Sequence, residues 1–231
     1  DLICLFQVIE SFPEIENDWF FIRYVDSIGP HIRFRVRECF APKVFPVLAE
    51  KFKRTQEEVY EPETERYGGE DNLKVCEAAF NFSSKLVSAC YRELEVFTYD
   101  HCLLFSLVVN RLIYAQNLER FETTKANDSF YRMWMYYAME MLGETKEDVM
   151  LRRYENGYGK IQSGLSEQIQ EVESYVLEAF PVDRFRVLLT DLSPEKKSDV
   201  VNSLVHMSNN RFGIGNIDEA FLAYILSKTQ V

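Results

Sequence analysis

Two segments near the N-terminus have the hydrophobic patterning of β-strands. Trp19–Asp26 (WFFIRYVD) is rich in aromatic and β-branched residues, whereas residues 31–37 (HIRFRVR) alternate strictly between apolar and basic side chains. Residues 26–30 (DSIGP) have the composition of a turn. We therefore predict an antiparallel hairpin. Ile32, Phe34 and Val36 form its apolar face, and His31, Arg33, Arg35 and Arg37 form its basic face.

Helical spacing of apolar residues dominates the rest of the chain. A helix is predicted at residues 43–54, followed by a third strand at residues 57–60 that Pro62 ends. Thr145 begins a sequence that resembles a capping box, and Ser193 precedes a proline at a helix start. The further predicted helices cover residues 72–94, 97–115, 128–142, 146–155, 162–178, 194–208 and 216–228.

These elements predict an α+β fold with a small antiparallel sheet near the N-terminus and a mainly helical remainder. No internal repeat, low-complexity tract or Gly/Ser linker divides the chain. We expect one domain over residues 1–231, with a strand-rich part at residues 1–70 and a helical part at residues 71–231.

The charge and the cysteines narrow the class of function. The 231 residues carry 26 Lys and Arg against 37 Asp and Glu, a formal net charge of −11, which argues against general binding of nucleic acid or of an anionic membrane. The longest apolar run is too short to span a bilayer, and no signal peptide stands at the start. The five cysteines are scattered without metal-ligand spacing, so we predict free thiols in a cytoplasmic protein and no metal site.

The basic face of the predicted hairpin is the first candidate site. Arg33, Arg35 and Arg37 lie about 7 Å apart along one face of a strand, and their charges repel unless anions compensate them. One interpretation is a solvated sheet face or ion pairs with the chain's own carboxylates. The other is a carboxylate-binding site, because guanidinium groups grip carboxylates in a bidentate way.

Two more polar motifs follow. Residues 61–69 (EPETERYGG) combine three carboxylates, an arginine and a tyrosine with a Gly-Gly pair that permits positive φ or a close backbone approach. This pattern also suits a simple surface turn. His206 lies in residues 206–211 (HMSNNR), on the polar side of a predicted helix, where it is either merely exposed or an acid/base group.

Taken together, the three motifs resemble the C-terminal, glutamate-elimination domain of the lantibiotic dehydratases, also called the thiopeptide-type bacteriocin biosynthesis family. The motifs WFFIRYVD with HIRFRVR, EPETERYGG and HMSNNR occur in that family's order and span roughly residues 19–212. The resemblance, in the family's stand-alone form, implies a split elimination subunit, a lyase that removes glutamate from glutamylated Ser or Thr of a ribosomal precursor peptide and leaves a dehydroamino acid. Its catalytic residues would be Arg33, Arg35, Glu63, Glu65, Arg66 and His206, with Arg37, Tyr67, Asn210 and Arg211 binding substrate.

The resemblance also implies partners. A precursor peptide with its leader and a separate glutamylating dehydratase protein are expected, with no direct contact to nucleic acid or membrane, no cofactor, and a homodimer left open. The family pattern F-x-x-D-S reads Phe80-Asn81-Phe82-Ser83-Ser84 here, so Ser83 stands where an aspartate is expected. Two alternatives therefore stay open. One is a thiopeptide pyridine synthase, which joins two dehydroalanines in a formal aza-[4+2] cycloaddition, and the other is a non-catalytic leader-peptide docking partner.

Overall fold

The computed structural model describes residues 2–27, 29–94 and 97–229 and confirms the predicted α+β class. Its elements are α1 Leu2–Glu10, β1 Trp19–Asp26, β2 Gly29–Val36, α2 Ala41–Lys51, α3 Glu70–Glu93, α4 Tyr99–Asn117, α5 Arg120–Leu142, α6 Glu147–Ala179, α7 Pro194–Phe212 and α8 Asn216–Lys228. Residue 28 of the predicted turn lies outside the described residues.

The hairpin forms as the alternation predicts. β1 and β2 pair antiparallel with Trp19 opposite Val36 and Phe21 opposite Phe34. Trp19 and Phe21 are buried, and the Trp19 ring packs against Phe34. The apolar positions of the alternation therefore meet the core, and Arg33 and Arg35 lie on the opposite face.

Side chains of two helices cover the outer edge of β1. Asn81 of α3 donates to the Trp19 carbonyl at 2.7 Å, and Ser84 Oγ accepts from the Phe21 amide at 3.3 Å. Asn210 of α7 accepts from the Arg23 amide at 2.9 Å and donates to the Arg23 carbonyl at 2.8 Å. These side chains give β1 the hydrogen bonds that a third strand would otherwise supply.

The predicted third strand at residues 57–60 is wrong, because this segment is irregular and pairs with neither strand. The capping box predicted at Thr145 is also wrong. The helix begins at Glu147 without a side-chain cap, and the amides of Thr145 and Lys146 donate to the Glu144 carboxylate instead.

Several helices differ from prediction in extent. α1 was not predicted, and α5 begins at Arg120, eight residues before the predicted start, behind a capping box formed by Glu119 and Glu122. The two helices predicted at residues 146–155 and 162–178 form one element, α6, with non-helical backbone at Ser163 and Gly164. The remaining helices occur where the spacing predicts, and Ser193 caps α7 by accepting from the Lys196 amide.

α7 holds the centre of the fold and packs against α3, α4, α5 and β1. Its apolar stripe of Val200, Val201, Leu204 and Val205 is buried, as the sequence pattern predicts. Because α7 also carries the HMSNNR motif, this packing fixes the position of that motif relative to the hairpin and to α3.

The five cysteines are free thiols, as predicted, and Cys76, Cys90 and Cys102 are buried. Across residues 2–27, 29–94 and 97–229, no helix is long and apolar enough to cross a membrane.

Candidate active site

His206 lies on α7 with one ring nitrogen committed to a carboxylate. Its Nδ1 is 2.7 Å from Oε1 of Glu219 on α8, and its ring stacks on Trp134 of α5 with centroids 4.9 Å apart. Asn209, one turn further along α7, donates to the other Glu219 oxygen at 3.1 Å. Three helices therefore hold the imidazole in place, and its side chain is 18% exposed.

Glu219 is unusual for a glutamate because its carboxyl group is completely buried. Burial raises the pKa of this carboxyl group, while the contacts with His206 and Asn209 and the charge of Arg66 act in the opposite direction. A buried carboxylate is stable only with hydrogen-bonding partners, and both Glu219 oxygens have one.

Arg66 joins the same site from the loop before α3. Its Nε donates to Oγ of Ser203, 3.2 Å away and one turn before His206 on α7. Its Nη1 is 2.9 Å from Oε2 of Glu63 at the surface. The structure thus brings Arg66, Glu63 and His206 together, whereas Glu65 lies exposed beside them.

The Gly-Gly pair gives this loop its shape, as the sequence suggested. Gly68 and Gly69 have φ of +79° and +108°, in the region that favours glycine. A Cβ at Gly68 would stand 2.6 Å from Leu192 Cδ2, so a larger residue would push the loop outward. The turn places Tyr67 in the core and leaves Arg66 half-exposed at the site.

A layer of four aromatic rings with an arginine at each end links Arg66 to the hairpin. Arg66 lies 5.7 Å from the Tyr67 ring, which contacts the Phe80 ring with centroids 5.3 Å apart. The layer then continues through Phe80 and Phe20 at 5.4 Å, Phe20 and Tyr60 at 5.9 Å, and Tyr60 and the Arg35 guanidinium at 5.0 Å. Arg35 and Arg66 therefore lie at the two ends of one continuous aromatic layer.

The other two hairpin arginines are engaged elsewhere. The Arg33 guanidinium stacks on Tyr24 at 3.4 Å and lies 3.7 Å from Asp26, towards the hairpin turn. Arg37 pairs with Asp18 at 2.5 Å on the surface. Among the described residues, neither contacts Arg66 or His206.

Two predicted substrate-binding residues, Tyr67 and Arg211, lie inside the protein, and a third, Asn210, is half-buried against β1. Tyr67 is buried, and burial raises the pKa of its hydroxyl group to about 12. Asn210 is committed to β1, and Arg211 is fully buried with Nε donating to Ser84 Oγ at 3.1 Å. Their positions are those of supporting residues behind Arg66 and Arg35.

Sequence reasoning missed Glu219, Asn209 and Trp134. Asn209 could have been noticed, since it lies three residues after His206 and therefore on the same side of the helix. Trp134 and Glu219 come from α5 and α8, which pack on each other, so only the tertiary structure shows that both reach His206 of α7. Within the described part of the chain, no group of three or more His, Cys, Asp or Glu side chains could hold a metal ion.

One region of this mainly helical α+β fold holds a histidine, a buried glutamate and partly exposed arginines, which are groups that can exchange protons and bind anions. Residues 2–230 match the family model described as "Lantibiotic biosynthesis dehydratase C-term", so the chain belongs to that family.

Individual relatives agree with this membership. The chain is 23% identical over 219 residues to the nisin biosynthesis protein NisB of Lactococcus lactis subsp. lactis, covering 90% of this chain and 22% of NisB. It also resembles the solved structure of the tRNA-dependent lantibiotic dehydratase MibB from Microbispora sp. 107891, with a TM-score of 0.53, 20% identity, and coverage of 100% of this chain and 26% of MibB. The chain thus spans about a quarter of the length of either protein.

The fold also occurs in a chain of similar size. The crystal structure of TsrL matches with a TM-score of 0.61 at 13% identity, covering 96% of this chain and 87% of TsrL. At that identity the likeness concerns the fold alone.

Proposed function

We propose that this chain is an elimination domain, a lyase that removes glutamate from glutamylated Ser or Thr side chains of a ribosomal precursor peptide. The observation that carries the proposal is the Arg66–Ser203 hydrogen bond, which joins the second motif to the helix turn that bears His206. The aromatic layer that connects Arg66 to Arg35 supports the proposal further, because this layer links the first motif to the second.

The proposed chemistry is a β-elimination. His206 takes the α-proton of the esterified residue, the Cα–H electron pair becomes the Cα=Cβ double bond, and the Cβ–O ester bond breaks so that glutamate leaves as a carboxylate. Arg66 and Arg35 bind the carboxylates of the glutamyl group and stabilise the oxyanion that develops at the substrate carbonyl. The Glu63 carboxylate, which holds Arg66 in the structure, marks where a substrate carboxylate would bind.

The proposed partners follow from the same chemistry. The substrate would be a precursor peptide with its leader, and a separate glutamylating protein would supply the ester. The net charge of −11 supports a division of labour in which the tRNA is handled by that other protein. We further propose that the protein works in the cytoplasm.

The test compares His206→Ala and Arg66→Ala with the unmodified chain in single-turnover reactions on a glutamylated peptide, followed by mass. Loss of one charge stabiliser typically lowers the rate by about 10²–10³-fold. Peptide affinity should change only a few-fold, because these groups act on charge that develops during the reaction.

His101→Ala and Arg92→Ala are matched controls, since His101 caps α4 and Arg92 pairs with Glu10 and Glu93 away from the site. Both should retain the rate. Near wild-type rates for the two site variants would refute the catalytic assignment. Turnover of a bis-dehydroalanine peptide instead would favour the pyridine synthase, and tight leader binding without turnover would favour the docking partner.

A further inference from the structure

The contact between His206 and Glu219 makes the two ring nitrogens of the imidazole inequivalent. Nδ1 faces a fully buried carboxyl group at 2.7 Å, and among the described residues Nε2 has no hydrogen-bonding partner. The two ring nitrogens are chemically distinct, and the partner of one sets the state of the other.

We propose that Glu219 is a positioning residue that, held from behind by Asn209, keeps a proton on Nδ1 of His206 and leaves Nε2 as the nitrogen that accepts and returns the substrate proton. The roles divide between the two sides of the ring. Glu219 never touches substrate, because the carboxyl group is completely enclosed. The reacting nitrogen lies on the opposite side of the ring from it.

Asn209 gives this arrangement its rigidity. Its Nδ2 donates to Glu219 Oε2 at 3.1 Å, so the carboxylate cannot rotate without losing a buried hydrogen bond. Trp134 stacks on the imidazole face and limits rotation of the ring. A carboxylate behind a histidine, itself hydrogen-bonded, is the general way in which proteins fix a tautomer and a ring orientation.

The charges around the pair come from every neighbouring element. Glu219 lies on α8, and Arg66, from the loop before α3, is close enough to lower the pKa of Glu219. Glu63 pairs with Arg66. Tyr114 of α4 donates its hydroxyl proton to Asn202. Burial raises the pKa of this tyrosine hydroxyl group, and Glu219 lies close enough that its carboxylate charge raises that pKa further. When Nε2 takes up a proton during the reaction, the Glu219 carboxylate compensates the charge that forms on the ring.

The decisive measurement needs no substrate. With ¹⁵N-labelled histidine, three sets of ring signals are expected from His31, His101 and His206, and the His206→Ala variant assigns the third. We expect the neutral form of His206 to carry its proton on Nδ1. A neutral His206 protonated on Nε2 in the unmodified chain would overturn the proposal.

Two substitutions separate the hydrogen bond from the charge. Glu219→Leu removes both, so the proton should move to Nε2. Glu219→Gln keeps an acceptor for Nδ1–H, and Asn209 can turn its amide to match, since its buried Oδ1 has no hydrogen-bonding partner. The tautomer should therefore persist in the Gln variant, which also serves if the Leu variant fails to fold.

The rate measurement rests on the proposed elimination function. Glu219→Leu should lower kcat by roughly 10²–10⁴-fold with KM changed only a few-fold, as for other carboxylates that orient a catalytic histidine. Asp218→Asn is the matched control, because this neighbouring carboxylate in the same turn of α8 bonds to Tyr99 instead, and its rate should stay within about twofold of the unmodified chain.

A Glu219→Leu variant with an unchanged kcat would overturn the proposal. If the unmodified chain performs no elimination, the proposed function fails, and the tautomer measurement still decides the positioning role of Glu219.

Discussion

Glu219 of α8 and Arg211 of α7 are both completely buried ionisable side chains, yet their hydrogen-bonding partners differ. Glu219 has a hydrogen bond at each oxygen and a titratable partner in His206. Arg211 donates to Ser84 and to the Met207 carbonyl, but its Nη2 has no partner, and no carboxylate among the described residues pairs with it. Aromatic rings fill the gap, with Phe80 at 4.8 Å and Phe20 at 5.8 Å.

The difference in partners explains how the fold accommodates each buried ionisable group. The glutamate can be neutralised by a proton shared with histidine, so it suits a site where protons move. The arginine has no such partner, and burial lowers the pKa of its guanidinium to about 9. Arg211 therefore acts as a fixed positive charge beneath the aromatic layer that carries Arg35 and Arg66, which suits a site for carboxylates.

The largest expected effect concerns the pH dependence of stability at Arg211. The unfolded chain binds this proton more tightly than the folded protein, so the buried charge disfavours folding by about 5 kcal/mol at neutral pH. That penalty is complete below the folded pKa of about 9 and disappears as the pH rises towards 12.5. In urea unfolding, the unmodified chain should gain about 2 kcal/mol relative to Arg211→Met between pH 8.5 and 10.5.

Arg37→Met is the control for that experiment, because Arg37 pairs with Asp18 and its side chain is 67% exposed. Its stability difference from the unmodified chain should stay constant over the same pH range. A constant difference for Arg211→Met as well would mean that its charge is not destabilised by burial.

A second effect, smaller than the full burial penalty of about 5 kcal/mol at Arg211, tests what holds that side chain in place. Ser84 Oγ accepts from both Arg211 Nε and the Phe21 amide, so Ser84→Ala leaves two buried donors without an acceptor. We expect a loss of about 2–3 kcal/mol in the free energy of unfolding. Ser83→Ala is the matched substitution, since Ser83 is equally buried but only donates to the Phe80 carbonyl, and it should cost about 1 kcal/mol or less. Equal losses at the two positions would contradict this account.

The smallest effect concerns Glu219 below neutral pH. Because burial raises the pKa of this carboxyl group in the folded state, the folded protein holds the proton more tightly than the unfolded chain. This contribution to stability is complete below the unfolded pKa near 4.5 and is lost as the pH rises through the folded value. Relative to Glu219→Gln, the unmodified chain should thus be favoured at the acidic end of a denaturation series from pH 4 to 7. A difference that stays flat or reverses would show that the partners of Glu219 outweigh its burial.

The sequence predicts the hairpin well because alternation in residues 31–37 reflects burial on one face directly. The segment at residues 57–60 (EEVY) also contains a β-branched and an aromatic residue but has no partner strand, and strand formation depends on a partner that local pattern does not reveal. Glu219 shows the same limit at the site. Asp218 and Glu219 are adjacent carboxylates in the sequence, and only the placement of α8 in the fold decides which one meets His206.

The covered edge of β1 also has a consequence for the order in which the chain folds. Its partners Asn81, Ser84 and Asn210 lie 62, 63 and 187 residues away in sequence. On a growing chain the hairpin is made before all three of these edge partners, and Asn210 follows Arg23 only 187 residues later, so the strand edge stays open while the intervening residues are synthesised. Such an open edge is a template for pairing with other chains, which exposes the hairpin to aggregation until α7 covers it.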